Sequence, residues 1–309
     1  MQPEMEFIID TRNLQFGFSK KKILLKKINL KVERGSIYGF LGPNGAGKTT
    51  TIRLILGLLK DSSESIYIFD KSLSDNRIAT LSKIGALIEQ PSLYEHLSGY
   101  DNLEITRRLK KINRERVTEV LQIVKLTDAA NKKVKAYSLG MKQRLGIALA
   151  LLGQPELLVL DEPVNGLDPS GMMEMREMIK SINQQYGTTI FLSSHLISEV
   201  EKIVTHVGII NMGELLFQGT ANELRSLGNV RLHLHIDVDD PSKAASLLAN
   251  KYSVTRQQDI LDVVIASKQE VNEIITNLVS NHIKIYEATV DNNNLERIFL
   301  NMTEHYTVS

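Results

Sequence analysis

The sequence predicts an α/β chain built on a parallel sheet, followed by a smaller α+β domain. Three observations support this. Short apolar runs alternate with helical patterns from the start to about residue 228, the stretch 91–155 is helical throughout, and the remainder has a different pattern. At 309 residues the chain is long enough for two domains. We therefore expect a first domain over 1–228, with a helical subdomain at about 91–155, and an accessory domain over 229–309.

Four apolar runs are the candidate buried strands of the parallel sheet. Each ends where a polar or glycine-rich segment begins, and a hairpin with its turn at Met212-Gly213-Glu214 follows them. Ligands of open α/β sheets gather at the carboxyl ends of the strands, so we expect the chemistry there. The four runs are residues 36–41, 84–88, 157–160 and 189–192.

The accessory domain shows the order β-α-β-β-α-β, which is typical of a ferredoxin-like unit. A further helix is expected around residues 295–302. The predicted elements are a strand at 230–238, a helix at 241–250, strands at 253–257 and 260–266, a helix at 269–281 and a strand at 283–288.

Composition excludes several classes of function. A formal net charge of +1 gives no basic surplus, so we expect no nucleic-acid partner. Cysteine is absent, which rules out disulfide scaffolds, zinc ribbons and thiol nucleophiles. Apolar runs fall short of the roughly 18 residues of a membrane helix, and the N-terminus does not resemble a signal peptide. The expected location is cytoplasmic, with any membrane link made through a partner.

A phosphate-binding loop is predicted after the first strand. The sequence Gly42-Pro43-Asn44-Gly45-Ala46-Gly47-Lys48-Thr49 fits the P-loop pattern and precedes a helix. Its glycines let backbone amides surround a phosphate, Lys48 can reach the β- and γ-phosphates, and the Thr49 hydroxyl can ligate Mg²⁺. The alternative is a glycine-rich turn that only joins the strand to the helix, but such a turn does not require Lys48 and Thr49 to follow it. The residues predicted to bind ATP here are Gly42, Pro43, Asn44, Gly45, Ala46, Gly47, Lys48, Thr49 and Thr50.

Two carboxylates follow the strand 157–160. Asp161 can hold Mg²⁺, and Glu162 can orient and deprotonate an attacking water. Alone, they are equally consistent with solvated loop residues. With the P-loop they predict a nucleotide-hydrolysing site, although several families share that combination.

The segment Tyr137-Ser138-Leu139-Gly140-Met141-Lys142-Gln143-Arg144 distinguishes among those families. Ser138 is a good N-cap, and the amides after it, including that of Gly140, form an anion site with no phosphate of its own. An ordinary capped helix is the alternative. An anion site of this kind is explained if it binds the phosphates of a nucleotide that is held by a second molecule.

This segment resembles the LSGGQ signature of ABC ATPases. With DEPVNGLDP, and with Glu89 at a position discussed below, it is similar to the ATPases of bacitracin-resistance and lantibiotic-immunity exporters, over about residues 5–227. The resemblance implies an ATP-hydrolysing subunit that pairs with a second copy of itself. It further implies a place on the inner face of the membrane, driving export of a peptide antibiotic, lipid-like or other small amphiphilic substrate through a separate permease.

The resemblance also implies individual roles. Asp168, in Asn165-Gly166-Leu167-Asp168, corresponds to the D-loop residue that crosses the dimer interface. His195 corresponds to the switch histidine that contacts the γ-phosphate, beside the catalytic Lys48 and Glu162. Phe18, or alternatively Phe16, matches the aromatic residue that stacks on adenine.

One position departs from the family pattern. Most relatives carry the Q-loop glutamine four residues after Gly85, where this chain has Glu89, and Gln90 follows. A carboxylate at this position can still ligate Mg²⁺. The alternative is a shift that makes Gln90 the functional residue. The spacing to Pro91 favours Glu89.

Two other interpretations stay open. The chain could be a soluble ABC ATPase acting on ribosomes or DNA, although one P-loop and no sustained heptads count against this. The accessory domain could bind a small regulatory ligand or pack between two copies of the chain. None of its residues forms a motif that decides between them.

Overall fold

The computed structural model describes residues 6–19, 23–60, 64–227, 232–257, 259–291, 298–299 and 302–303. The chain divides into two compact units, which comprise residues 1–221 and residues 222–309. The first unit ends where the helix Ala221–Leu227 begins. The domain boundary predicted at residue 228 lies at the other end of that helix.

The first unit alternates strands and helices. Its strands are β1 (Phe7–Thr11), β2 (Leu14–Phe16), β3 (Leu25–Ile28), β4 (Lys31–Glu33), β5 (Ile37–Leu41), β6 (Ile66–Ile68), β7 (Lys71–Ser72), β8 (Ile84–Leu87), β9 (Leu157–Asp161), β10 (Thr189–Ser194), β11 (His206–Asn211) and β12 (Glu214–Thr220). The helices up to the boundary are α1 (Lys48–Ile55), α2 (Leu73–Leu81), α3 (Gly99–Leu109), α4 (Glu115–Ile123), α5 (Leu139–Leu151), α6 (Pro169–Tyr186), α7 (Ile197–Val200) and α8 (Ala221–Leu227).

The main sheet has the strand order β12-β11-β5-β10-β9-β8. All neighbours are parallel except the hairpin β11–β12, which confirms the predicted parallel sheet and hairpin. Every residue of β5, β9 and β10 is buried, as expected for central parallel strands covered on both faces. β9 and β10 continue past the predicted ends, to Asp161 and Ser194 respectively.

An antiparallel sheet, which the sequence did not predict, accompanies the main sheet. Its order is β4-β1-β6-β7, and β2 pairs separately with β3. These strands have only two to five residues each, too few to show a clear periodicity. Their buried residues, such as Ile9 and Ile68, join Ile52 of α1 in one core. The start of the P-loop helix is thus supported by both sheets.

The chain between β8 and β9 is helical, as its pattern predicted. It contains α3, α4 and α5, with two 3₁₀ turns at Thr127–Ala129 and Val134–Ala136. A capping box at Ser98 and Asp101 begins α3. Among the residues that the structure describes, no helix combines the length and apolar character needed to cross a bilayer.

The second unit confirms the ferredoxin-like prediction. Its sheet has the order β14-β15-β13-β16 and is antiparallel throughout. Along β13, Leu234 and Ile236 are buried in the core, and His233 and His235 alternate with them. The predicted helix around 295–302 lies mostly outside the described residues. The elements are β13 (Leu232–Val238), α9 (Pro241–Leu248), β14 (Ser253–Gln257), β15 (Ile260–Ile265), α10 (Gln269–Ser280) and β16 (Ile285–Asp291).

Candidate active site

Three neighbouring strands bring the predicted site residues to one edge of the main sheet. β5 leads into the P-loop, β9 ends at Asp161, and β10 ends at Ser194, just before His195. β10 lies between the other two and runs parallel to both. Their carboxyl ends therefore meet, which is where α/β sheets place their ligands.

The P-loop has the backbone geometry that its glycines permit. Gly45 and Gly47 have φ angles of 81° and 111°, which other residues adopt only with strain. A Cβ atom on Gly47 would lie 2.5 Å from Leu25 Cδ2, and one on Gly42 would lie 2.4 Å from the Ile210 carbonyl oxygen. No described side chain caps the start of α1. Its first amides are therefore available to an anion.

Lys48 is a buried cation with three oxygen neighbours. Its Nζ donates to the carbonyl oxygens of Gly42 at 2.7 Å and Pro43 at 3.2 Å. It also lies 3.3 Å from Glu162 Oε1, and its side chain is only 6% exposed. A buried ammonium requires such partners. The contact places Lys48 beside the carboxylate predicted to act on water.

Glu162 also contacts His195. Its Oε2 lies 2.8 Å from His195 Nδ1 and accepts a hydrogen bond from the His195 amide at 3.3 Å. The φ angle of Glu162 is 51°, in the left-handed region that is uncommon for residues other than glycine. Glu162 thus has an uncommon backbone conformation, and its carboxylate lies between a lysine and a histidine.

Ser193 is a site residue whose part the sequence analysis missed. It is fully buried, its Oγ donates to Asp161 Oδ1 at 2.5 Å, and the same atom accepts from the Glu162 amide at 3.1 Å. One hydroxyl therefore fixes both carboxylate residues. The signal that could have found it is register, because Ser193 pairs with Asp161 across β10 and β9.

The structure thus brings together Lys48, Asp161, Glu162 and His195. Thr49 and Thr50 follow in α1 and are half-buried. Within the described ranges, no group of three or more histidine and carboxylate side chains is arranged to hold a metal ion by itself.

Glu89 lies apart from this group. Its side chain is 62% exposed, and its Oε1 lies 2.5 Å from a guanidinium nitrogen of Arg53, in the last turn of α1. The φ angle of Glu89 is 57°. The following residue, Gln90, is also exposed. The ion pair holds Glu89 on α1, and the choice between Glu89 and Gln90 stays a prediction.

Ser138 and Asp168 each cap a helix. The Ser138 Oγ accepts from the Met141 amide at 3.3 Å at the start of α5, and Asp168 Oδ1 accepts from the Gly171 amide at 2.9 Å at the start of α6. Both residues are exposed, and Gly140 is half-buried. In the described part of the chain, no hydrogen bond or ion pair of Ser138 or Asp168 reaches the P-loop.

The two candidate adenine-stacking residues are neighbours. Phe18 is 73% exposed, and its ring meets the half-buried ring of Phe16 edge-on at 5.1 Å. An open ring face is what stacking on a base requires. Phe18 therefore fits this use better than Phe16, and the role stays a prediction.

Comparison with known sequences identifies close relatives. The family model described as ABC transporter matches residues 25–165. The bacitracin transport ATP-binding protein BcrA of Bacillus licheniformis is 40% identical over 305 residues, which cover 96% of this chain and 98% of that protein. The lantibiotic transport ATP-binding protein SrtF of Streptococcus pyogenes is 41% identical over 211 residues, which cover 68% of this chain and 90% of that protein.

Solved structures agree with the sequence relatives. The protein cbiO1 of Clostridium perfringens, part of the ABC transporter complex cbiONQ, has a TM-score of 0.67 at 28% identity and covers 72% of this chain and 92% of its own. A dimeric ATP-binding cassette in a post-hydrolysis state with ADP and phosphate has a TM-score of 0.61 at 25% identity, covering 69% and 98%. The chain therefore belongs to the ABC transporter family, as an ATP-binding subunit with ATPase activity.

Proposed function

We propose that this ATPase works as a pair of identical chains that form two composite nucleotide sites, and that it powers export through a separate membrane permease. One observation carries the pairing. Ser138, Gly140 and Asp168 lie at accessible helix starts, and in the described chain Ser138 and Asp168 make no bond to their own P-loop. A helix start with free amides is an anion site that awaits a ligand. A P-loop from a second chain supplies one.

Binding of ATP begins with an exchange of partners at Lys48. Its ammonium leaves the carbonyl oxygens of Gly42 and Pro43, and the carboxylate of Glu162, for the β- and γ-phosphates. The first amides of α1 bind the same phosphates. The exchange releases Glu162 for its own task, and Phe18 stacks on the adenine.

The residues present fit Mg²⁺. The Thr49 hydroxyl and the Asp161 carboxylate are oxygen donors, and Mg²⁺ typically takes one or two carboxylates in addition to phosphates and water. Ser193 orients Asp161 through its 2.5 Å hydrogen bond. Bound Mg²⁺ would neutralise charge on the phosphates.

Glu162 acts as the general base. A water beside its carboxylate gives a proton to Glu162, and the water oxygen attacks the γ-phosphorus as the bond to the leaving ADP oxygen breaks. His195 and Ser193 keep Glu162 in place through the 2.8 Å and 3.1 Å contacts. The amides of Leu139 and Gly140 of the second chain, at the α5 start that Ser138 caps, stabilise the γ-phosphate.

ATP therefore favours the closed pair, and loss of phosphate opens it. The nucleotide binds both halves of each composite site only when the chains are closed, which is a ligand-driven population shift. Closure becomes a mechanical stroke if the Glu89 loop and α3 contact the cytoplasmic helices of the permease. The proposed location of the chain is the cytoplasm, on the inner face of the membrane.

The names of the relatives support a substrate class. The protein from Bacillus licheniformis is named a bacitracin transport ATP-binding protein and that from Streptococcus pyogenes a lantibiotic transport ATP-binding protein, and bacitracin and lantibiotics are peptide antibiotics. We extend this class to the present chain, together with lipid-like and other small amphiphilic molecules. Substrate contacts are then made by the permease.

Glu162→Gln is expected to lower the rate of phosphate release by at least about 100-fold, because the amide cannot accept the proton. ATP binding persists, so the variant accumulates as an ATP-loaded dimer in light scattering. Glu177→Gln, on the exposed face of α6, is the control and keeps the parental rate. Phosphate release by Glu162→Gln at the parental rate would remove Glu162 as the base.

Glu89→Ala and Gln90→Ala separate the two Q-loop candidates. Glu89→Ala is expected to raise the Mg²⁺ concentration for half-maximal ATPase activity about tenfold or more, as loss of a metal-orienting residue does. Gln90→Ala leaves it unchanged. The opposite ranking would assign the role to Gln90.

The substrate class is tested in the native host. A strain whose chromosomal gene carries Glu162→Gln is expected to tolerate a lower concentration of bacitracin or lantibiotic than the parental strain, because export stops. The amount of the protein in the cell is expected to be unchanged. The matched strain carries Glu177→Gln. Unchanged tolerance to both antibiotics would overturn the peptide-antibiotic proposal without affecting the assignment as an ATPase.

A further inference from the structure

The loop at residues 165–168 packs tightly on the first turn of α5. Gly166 has a φ angle of 75°, and a Cβ atom on it would lie 3.1 Å from Leu139 Cδ2. A Cβ atom on Gly140 would lie 3.4 Å from Leu167 Cδ2. Each segment therefore packs a leucine side chain against a glycine of the other, and the contact at Gly166 leaves little room for a Cβ atom. We call the packing of residues 165–168 on the first turn of α5 the signature–D-loop contact.

Gln143 adds one directed bond to the signature–D-loop contact. Its side chain is buried, and its Nε2 donates to the backbone carbonyl oxygen of Asn165 at 3.1 Å. Among the described residues, its Oε1 is buried without a hydrogen-bond partner. A buried amide with an unsatisfied acceptor costs stability, and an apolar residue of similar size would avoid that cost. Packing alone does not explain a glutamine here.

A second hydrogen bond of Asn165 leads to Glu162, the proposed general base. The Asn165 amide donates to the carbonyl oxygen of Glu162 at 3.1 Å, closing a turn directly after β9. Gln143 is therefore linked to Glu162 through one turn of the loop, and it lies five residues after Ser138 in the chain. In the paired arrangement proposed above, Glu162 serves the nucleotide of its own chain and Ser138 serves that of the partner.

We propose that Gln143 is a positioning residue that couples the two composite sites. It ties the loop of residues 165–168 to α5, so that Ser138 and Asp168 move together with the turn that carries Glu162. A change at one nucleotide is thereby transmitted to the helix start that binds the other. The inference rests on the proposed pairing of chains and adds a path between the sites.

The test is Gln143→Leu, which keeps the bulk of the side chain and removes the donor. ATPase rates are measured against ATP concentration, together with nucleotide affinity at protein concentrations where the chain is monomeric. The parental chain is expected to give a Hill coefficient between about 1 and 2, the limit for two sites. Gln143→Leu gives a Hill coefficient close to 1 and a maximal rate lowered about tenfold or more, with unchanged monomer affinity.

A matched control is Gln122→Leu, the same exchange at an exposed position of α4. It is expected to keep the parental Hill coefficient. Gln143→Met, which retains the length and flexibility of the side chain, replaces Gln143→Leu if that variant does not fold. A lower melting temperature with an unchanged Hill coefficient would mean that Gln143 is merely structural.

The outcomes also separate this inference from the proposed function. A parental chain that dimerises with ATP and shows cooperativity, beside an equally cooperative Gln143→Leu, would overturn the coupling role alone. A parental chain without dimerisation or cooperativity would refute the composite sites, and the coupling role with them.

Discussion

The active site depends on a buried positive charge. Lys48 lies at the start of α1, almost inaccessible to water, and only oxygen atoms in contact with its ammonium can offset the cost of burying it. The P-loop carbonyl oxygens and Glu162 provide them. Phosphate is a stronger competitor for the same cation. In the proposed mechanism the pair of Lys48 and Glu162 is therefore a resting arrangement that nucleotide replaces, which frees the carboxylate.

The surrounding fold brings these charges together, and under the proposed pairing one chain supplies only part of each site. Parallel pairing of β5, β10 and β9 sets the P-loop, His195 and the two carboxylates at one edge, and Ser193 holds both carboxylate residues. The described helix starts capped by Ser138 and Asp168 form no bond with that edge in the same chain. A second chain is the simplest source of the missing contacts, and a binding site divided between two molecules makes ligand binding and association one event.

Much of this arrangement could be predicted because the signals are local. The P-loop, the Asp161-Glu162 pair and the capped start of α5 each occupy one short stretch of sequence, and the ferredoxin-like order follows from periodicity. Contacts between distant segments could not be predicted. Ser193 with Asp161, Arg53 with Glu89 and Gln143 with Asn165 depend on register or packing, which no single segment encodes. The short antiparallel strands were missed because two to five residues show too few repeats of their pattern.

Complementation between two inactive variants tests the composite sites most directly. Lys48→Met removes the phosphate ligand, and Gly140→Asp places a negative charge at the α5 start, where the added Cβ meets only ordinary contact with Leu167. A mixed dimer has one intact composite site, so an equal mixture of the two variants regains up to about a quarter of the parental ATPase rate. A mixture that stays at the sum of the two separate rates would contradict the account.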